Sequence, residues 1–414
     1  MNLLIKNARQ VVTVASSGKR LKVGREMRDL GVIENGTVLV QQGRIAWVGR
    51  SVDFSMDIDA SMEVIDASDR ILLPGFVDPH THLVFAGSRE GEFALRTEGA
   101  SYRQIAEKGG GILATVAKVR ETSKKHLKKL ALRHLTEMMK LGTTTVEVKS
   151  GYGLDFDNEL KMLEAINELV KEELINVVPT FLGAHAVPTE YRDRKSDYIR
   201  LIVERLIPYV GTKKLAEFCD VFCEAGYFGM EECEQILEEG KKFGMRPKVH
   251  ADEFNPSSGA ELAARVGAVS ADHLEYVNER GIELMGHKGV VATLLPGVSF
   301  FLGHSYAPAR KLIDAGVPVA LATDFNPGSC MCYSMPLMMT MACTQMGMTP
   351  EEVITASTLN AAAAVSRSHE LGSIEVGKRG DLILLNIGNY RFLPYHFGAN
   401  HVVKTIIQGT MLEF

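Results

Sequence analysis

His80 and His82 follow the apolar run ILLPGFVDP at a spacing of two. Alternate residues at the end of an extended strand point the same way, so both imidazoles reach one metal ion. His250 ends the run RPKVHAD and Asp324 ends VPVALATD. Three imidazoles and one carboxylate suit Zn²⁺ or Fe and leave a position open for water. An ion held this way lowers the pKa of its water to about 7 and polarises a carbonyl, so the expected chemistry is hydrolysis of an amide or imine-like C–N bond. Asp324, with a spare carboxylate oxygen, is placed to take the water's proton and hand it to the leaving nitrogen.

Other chemical residues stand just after apolar runs in the same way: Tyr152, His185, Glu253 and His273. Five of the twelve histidines therefore fall at predicted strand ends. His273, in SADHLEY, is either a further ligand or, as preferred here, a group holding the water or the developing oxyanion. Glu224, in DVFCEAG, is either a bridge to a second metal or barrel lining beside Phe222 and Cys223, and is left unassigned.

The elements that must position these residues are apolar runs alternating with amphipathic stretches between about Arg70 and Val365. The runs are ILLPGFVD, TTTVEVKS, INVVPTFLG, DVFCEAG, RPKVHAD, AVSADHL, VVATLLPG and VPVALATD. Helical stretches fall between them, for example HLKKLALRHLTEMMKLG, which ends on Gly142 as a helix C-terminus should. Eight such units predict a closed (β/α)₈ TIM barrel with its active site at the C-terminal ends of the strands. Both chain ends read instead as short strands, too few at either end for a stable sheet. The fold expected is therefore α/β, a (β/α)₈ barrel over residues 64–365 carrying a small composite β-sandwich from residues 1–63 and 366–414.

The 414 residues are 46% hydrophobic and 23% charged with a formal charge of -5, the profile of a globular protein with no surface for nucleic acid or anionic membrane. A small-molecule partner is the expectation. MNLLIKNARQ interrupts its apolar run with Lys6 and Arg9, which predicts no secretory signal and a cytoplasmic protein. Two long uncharged stretches, Val290 to Ala309 and Phe325 to Pro350, are broken by Pro296, Gly297, Pro327, Gly328 and Pro336 and predict buried core, not membrane spans. The six cysteines form no CxxC pair and are expected to be reduced and packed. Gly109, Gly110 and Gly111 lack the Lys-Ser/Thr of a phosphate loop and predict a flexible loop near the mouth.

LPGFVDPHTH, the later His250 and His273, TDFNPG and LGSIEVGKRGDLILL together resemble the metal-dependent amidohydrolase superfamily over essentially the whole chain. Longer segments, HTHLVFAGSRE, VEVKSGYGL, TFLGAHAVP, VHADEF and ATDFNPGS, are similar to the imidazolonepropionase family within it. That resemblance implies hydrolysis of 4-imidazolone-5-propanoate to N-formimidoyl-L-glutamate in histidine degradation. It implies one Zn²⁺ or Fe ion per subunit on His80, His82, His250 and Asp324, with His273 behind the ligands, and a homodimer. It implies catalytic roles for Asp324, His273 and Glu253. Arg89, Tyr152, His185, Glu253, Asn326, Gly328 and Ser329 would contact the substrate, with Arg89 gripping its carboxylate as a two-pronged donor and Tyr102 helping from the same loop. Binuclear members carry a bridging lysine at the end of strand four, where this chain has Cys223 and Glu224; Lys149, ending strand two, does not serve that purpose. Two rivals are a deaminase of the same superfamily acting on a neutral base, which would give Arg89 no carboxylate to hold, and a non-catalytic relative, which would be expected to have lost metal ligands.

Overall fold

The computed structural model describes residues 2–57, 62–99 and 110–414. Eight parallel strands form the central sheet in chain order: β6 (Phe76–Asp78), β7 (Thr143–Lys149), β8 (Asn176–Ala184), β9 (Phe218–Cys223), β10 (Arg246–Ala251), β11 (Ser270–His273), β12 (Val291–Leu294) and β13 (Val319–Leu321). The first and last strands are joined by side-chain and loop bonds. Asp78 accepts from Thr323 N at 3.1 Å and from its hydroxyl at 2.6 Å. Just beyond the strands, Asp324 N donates to the His80 carbonyl at 3.1 Å and His82 N to that of Phe325 at 3.0 Å. This closure sets His80, His82 and Asp324 side by side.

Helices cover the outside. The helix Lys124–Lys140 begins where the Ser123 hydroxyl caps His126 N, buries Leu127, Ala131, Leu135 and Met138, and stops before Gly142 at φ +91°. The stretch Phe325 to Pro350 contains the helix Met335–Gln345, which buries Met335, Met338 and Met339. Among the described residues no helix is long and apolar enough to cross a membrane. All six cysteines are unpaired, and four of them are buried.

Strands from both chain ends form the second sheet: β1 (Leu3–Val12), β2 (Val32–Gln41), β3 (Arg44–Arg50), β4 (Glu63–Asp66), β5 (Ile71–Pro74), β14 (Leu382–Leu385), β15 (Val402–Ile407) and β16 (Thr410–Met411). The expected sandwich is realised as one continuous sheet whose strands share a core of Leu3, Ile5, Val11, Val38, Val40, Leu72, Leu382 and Ile406. An irregularity in β1 between Ile5 and Ala8 lets its first half pair with β4 and its second half with β5. The sheet thus runs on to Pro74, past the junction expected at residue 63.

The run ILLPGFVD, predicted as a single barrel strand, divides at Gly75. Its first half is β5 of the end-built sheet and its second half is β6 of the barrel. A side chain at Gly75 would come within 2.2 Å of Thr144 Oγ1, so the chain crosses between sheets where no Cβ intervenes.

Candidate active site

At the C-terminal rim of the barrel, His80 and His82 follow β6, His250 lies in β10, His273 ends β11 and Asp324 follows β13. All five side chains are buried. One ring nitrogen from each of His80, His82 and His250 lies within 4.8 Å of the others. Asp324 Oδ1 stands 3.3 Å from His80 Nε2 and 3.4 Å from His82 Nε2. His80 Nε2, His250 Nε2 and Asp324 Oδ1 are buried without a hydrogen-bond partner. A buried polar atom left unpaired costs about 1–3 kcal/mol, and three of them converging on one point fit a single bound cation. Burial, reinforced by neighbouring charges, pushes His80, His82 and His273 well below the ordinary histidine pKa, so they are neutral donors.

The donors are held from behind. His80 Nδ1 hydrogen-bonds Asp272 Oδ2 at 2.7 Å, and His250 Nδ1 lies 3.1 Å from Asp220 Oδ2 in an ion-pair contact without hydrogen-bond alignment. Asp324 Oδ2 accepts from Asn326 Nδ2 at 2.8 Å and from the Ser329 hydroxyl at 3.0 Å, which turns Oδ1 toward the histidines. Asp324 itself sits at φ +52° and His273 at φ +79°, backbone that non-glycine residues adopt only when their surroundings enforce it. Burial raises the Asp324 carboxyl to about 7; a cation at Oδ1 would favour the carboxylate.

A cavity of about 570 Å³ opens onto these groups, lined also by Arg89, Tyr152, His185, Glu253, Asn326, Gly328 and Ser329. Every expected contact residue but one therefore reaches a single space. Tyr102, the exception, lies outside the described residues. His185 stacks on His82 with ring centroids 4.8 Å apart, and its Nδ1 bonds the Gly151 carbonyl at 3.0 Å, which puts the proton on Nδ1 and leaves Nε2 as an acceptor. Burial lowers its pKa to about 3. Glu253 Oε2 lies 3.6 Å from His273 Nε2, and burial followed by repulsion from Glu275 and Asp324 holds its carboxyl well above the usual range.

Elsewhere on the cavity wall, Arg89 donates from Nε and Nη2 to Glu92 Oε2 at 3.0 and 2.7 Å. Glu92 also accepts from Gly111 N at 3.0 Å, so Gly111, expected in a flexible loop, is tied down where the helix Ile112–Glu121 starts; Gly109 lies outside the described residues. A Cβ at Gly328 would fall 2.0 Å from Arg89 Nη1, so glycine there leaves room for the guanidinium.

Glu224 is not aimed at the donor set. Its oxygens accept from Glu253 N at 3.1 Å, Phe254 N at 3.0 Å and the Ser257 hydroxyl at 2.6 Å, so it shapes the loop that carries Glu253. Several participants escaped the sequence reading. Glu159 accepts from Gly151, Gly153 and Leu154 N and so fixes the loop bearing Tyr152. Arg96 and His304 line the cavity, and Asp220 and Asp272 back the histidines. The signal for the two aspartates was a charge inside an apolar strand run.

The amidohydrolase family model matches residues 71–412. An imidazolonepropionase of Geobacillus sp. (strain WCH70) is 50% identical over 413 residues, covering 99% of this chain and 97% of that one. Among solved structures, a triazine hydrolase variant superposes with TM-score 0.77 at 16% identity, covering 99% of this chain and 94% of its own. An adenosine deaminase from Xanthomonas campestris with bound zinc gives 0.73 at 20% identity, with 99% and 92% covered. The two structures support the barrel and its appended sheet. The family match and the near full-length identity go further: this chain belongs to the amidohydrolase family, in its imidazolonepropionase branch.

Proposed function

We propose that this protein hydrolyses the cyclic amide C–N bond of 4-imidazolone-5-propanoate, giving N-formimidoyl-L-glutamate. The observation that carries this reading is the cavity itself, whose wall holds both metal donors and an oriented arginine. A substrate with a ring amide and one carboxylate tail matches both. A Zn²⁺ or Fe ion on His80, His82, His250 and Asp324 supplies a Lewis acid and a more acidic water when bound.

The chain's own groups do the rest. Arg89, aligned by Glu92, binds the carboxylate through its remaining N–H groups, with Tyr102 assisting. His185 accepts from a ring N–H through Nε2, and Tyr152 closes that side beside His82 and His185. Asp324 takes the proton of the attacking water while Asn326 and Ser329 hold its other oxygen. Gly328 keeps the guanidinium in place. Asp324 then hands the water's proton to the leaving ring nitrogen, Glu253 assists the transfer from beside His273, and His273 steadies the oxyanion. The same reading carries one ion per subunit, a cytoplasmic location in histidine degradation and a homodimer.

The test is ultraviolet absorbance of freshly made 4-imidazolone-5-propanoate, followed with the protein as purified, after chelation and after Zn²⁺ or Fe is restored. Metal-dependent decay to N-formimidoyl-glutamate is expected. No decay from metal-loaded protein overturns the substrate and shifts attention to deamination of a neutral base.

A further inference from the structure

Beneath the metal donors lies a charged layer to which the reaction above gives no role. Glu147 and Lys149 on β7, Asp220 on β9, Lys248 on β10 and Asp272 on β11 have side chains wholly shielded from solvent. Lys149 Nζ lies 2.7 Å from Asp220 Oδ2, 2.9 Å from Glu147 Oε2 and 3.6 Å from Asp272 Oδ2. Those same two aspartate oxygens face His80 Nδ1 and His250 Nδ1, at 2.7 and 3.1 Å. One ammonium therefore stands at the junction of two carboxylate–histidine pairs.

We propose that Lys149 is a positioning residue for the metal centre: by pairing with both Asp220 and Asp272 it holds the carboxylate that fixes His80 with the proton on Nδ1 and the Nε2 lone pair turned to the ion, and the carboxylate that stands against His250 Nδ1. An ionised carboxylate only accepts hydrogen bonds, so the imidazole nitrogen facing it must carry the proton. A buried carboxylate is held in place only when its charge is compensated, and Lys149 compensates both. Lys248 braces the layer from the other side, 3.1 Å from Glu147 Oε2 and 3.1 Å from the Pro79 carbonyl. With Asp324, four carboxylates face two ammoniums, and one divalent ion makes up the difference.

This inference rests on the metal reading of His80, His82, His250 and Asp324. The test uses the full chain and measures Zn²⁺ affinity by equilibrium competition with a chromophoric chelator, together with ¹⁵N signals of labelled histidines in the ion-free protein. K149M is expected to weaken Zn²⁺ binding about 10- to 100-fold, the usual effect of losing a group that orients ligands. D272N should weaken it comparably, and the double variant should lose little more than the worse single one. Should K149M fail to fold, K149R, which keeps the charge and moves the donors, must shift the Nδ1–H signals of both His80 and His250. D272N must then shift that of His80 more than that of His250, and D220N the reverse. A folded K149M that binds Zn²⁺ like wild type, losses that multiply in the double variant, or a K149R that moves neither signal overturns the role of Lys149. A wild-type chain that binds no ion overturns the metal reading itself, and this inference with it.

Discussion

Two parts of the cavity wall, the metal end with the histidines and Asp324 and the carboxylate end with Arg89, are built differently. At the metal end every donor stands on or just after a barrel strand and is buried, and His80 and Asp324 have a hydrogen-bonded partner fixing the atom not used for the ion, while Asp220 stands 3.1 Å from His250 Nδ1. At the carboxylate end Arg89 precedes the helix Glu90–Thr97, which buries none of its residues, and is oriented by Glu92 three positions on. The difference separates chemistry from choice of substrate. Strand ends hold reacting groups to the tolerance catalysis needs, whereas loops over the rim vary freely and set what is bound.

Substitutions at the two ends should therefore fail in different ways. The largest effect is expected from D324N, which removes both an ion ligand and the proton acceptor. Turnover should fall by about 10³-fold or more, with bound metal reduced in elemental analysis. E253Q should lower kcat by about 10²-fold while metal content stays at the wild-type level, because Glu253 does not belong to the donor set. R89M should act on the other end, raising KM by about 10- to 100-fold through loss of charge-assisted hydrogen bonds and leaving metal content alone. G328A should shift KM in the same direction by displacing the guanidinium. If R89M instead strips metal, or D324N changes KM alone, the two ends are not separable.

The smallest effect is on stability. Asp324 in the ion-free protein has its pKa raised to about 7, so its protonated form is favoured by folding. Its contribution is full below the unfolded carboxylate value and is lost as pH rises through about 7. The buried histidines, held below their ordinary pKa, gain stability over the same range, so the Asp324 effect is read as a difference: the stability of chelated wild type relative to chelated D324N should fall between pH 5 and pH 7.5. Melting curves of both proteins with chelator check it.

The same contrast explains what the sequence discloses. The metal donors are legible because a histidine pair at spacing two, and single His or Asp residues closing apolar runs, have one geometry available in a parallel barrel. Arg89 is legible through the segment that surrounds it, not through any period. The supporting layer hid in plain view. Lys248 and His250, Glu147 and Lys149, and Asp78, His80 and His82 are each spaced by two, so a charge two residues before a ligand shares its inward face. Glu224 misled because its position at a strand end says nothing about where its side chain turns, and here a loop of backbone N–H groups claims it. The split of ILLPGFVD was beyond periodicity, since both halves are fully buried and only the sheet partners differ.

The central claim is that one ion at the strand ends drives hydrolysis of a substrate gripped at the loop end. It is tested most directly by titrating metal back into chelated protein while measuring bound ion and turnover of 4-imidazolone-5-propanoate on the same samples. Turnover should rise in proportion to ion bound and level off at one per chain. Full turnover in the chelated protein, or a rate that climbs only as a second ion binds, would contradict the account.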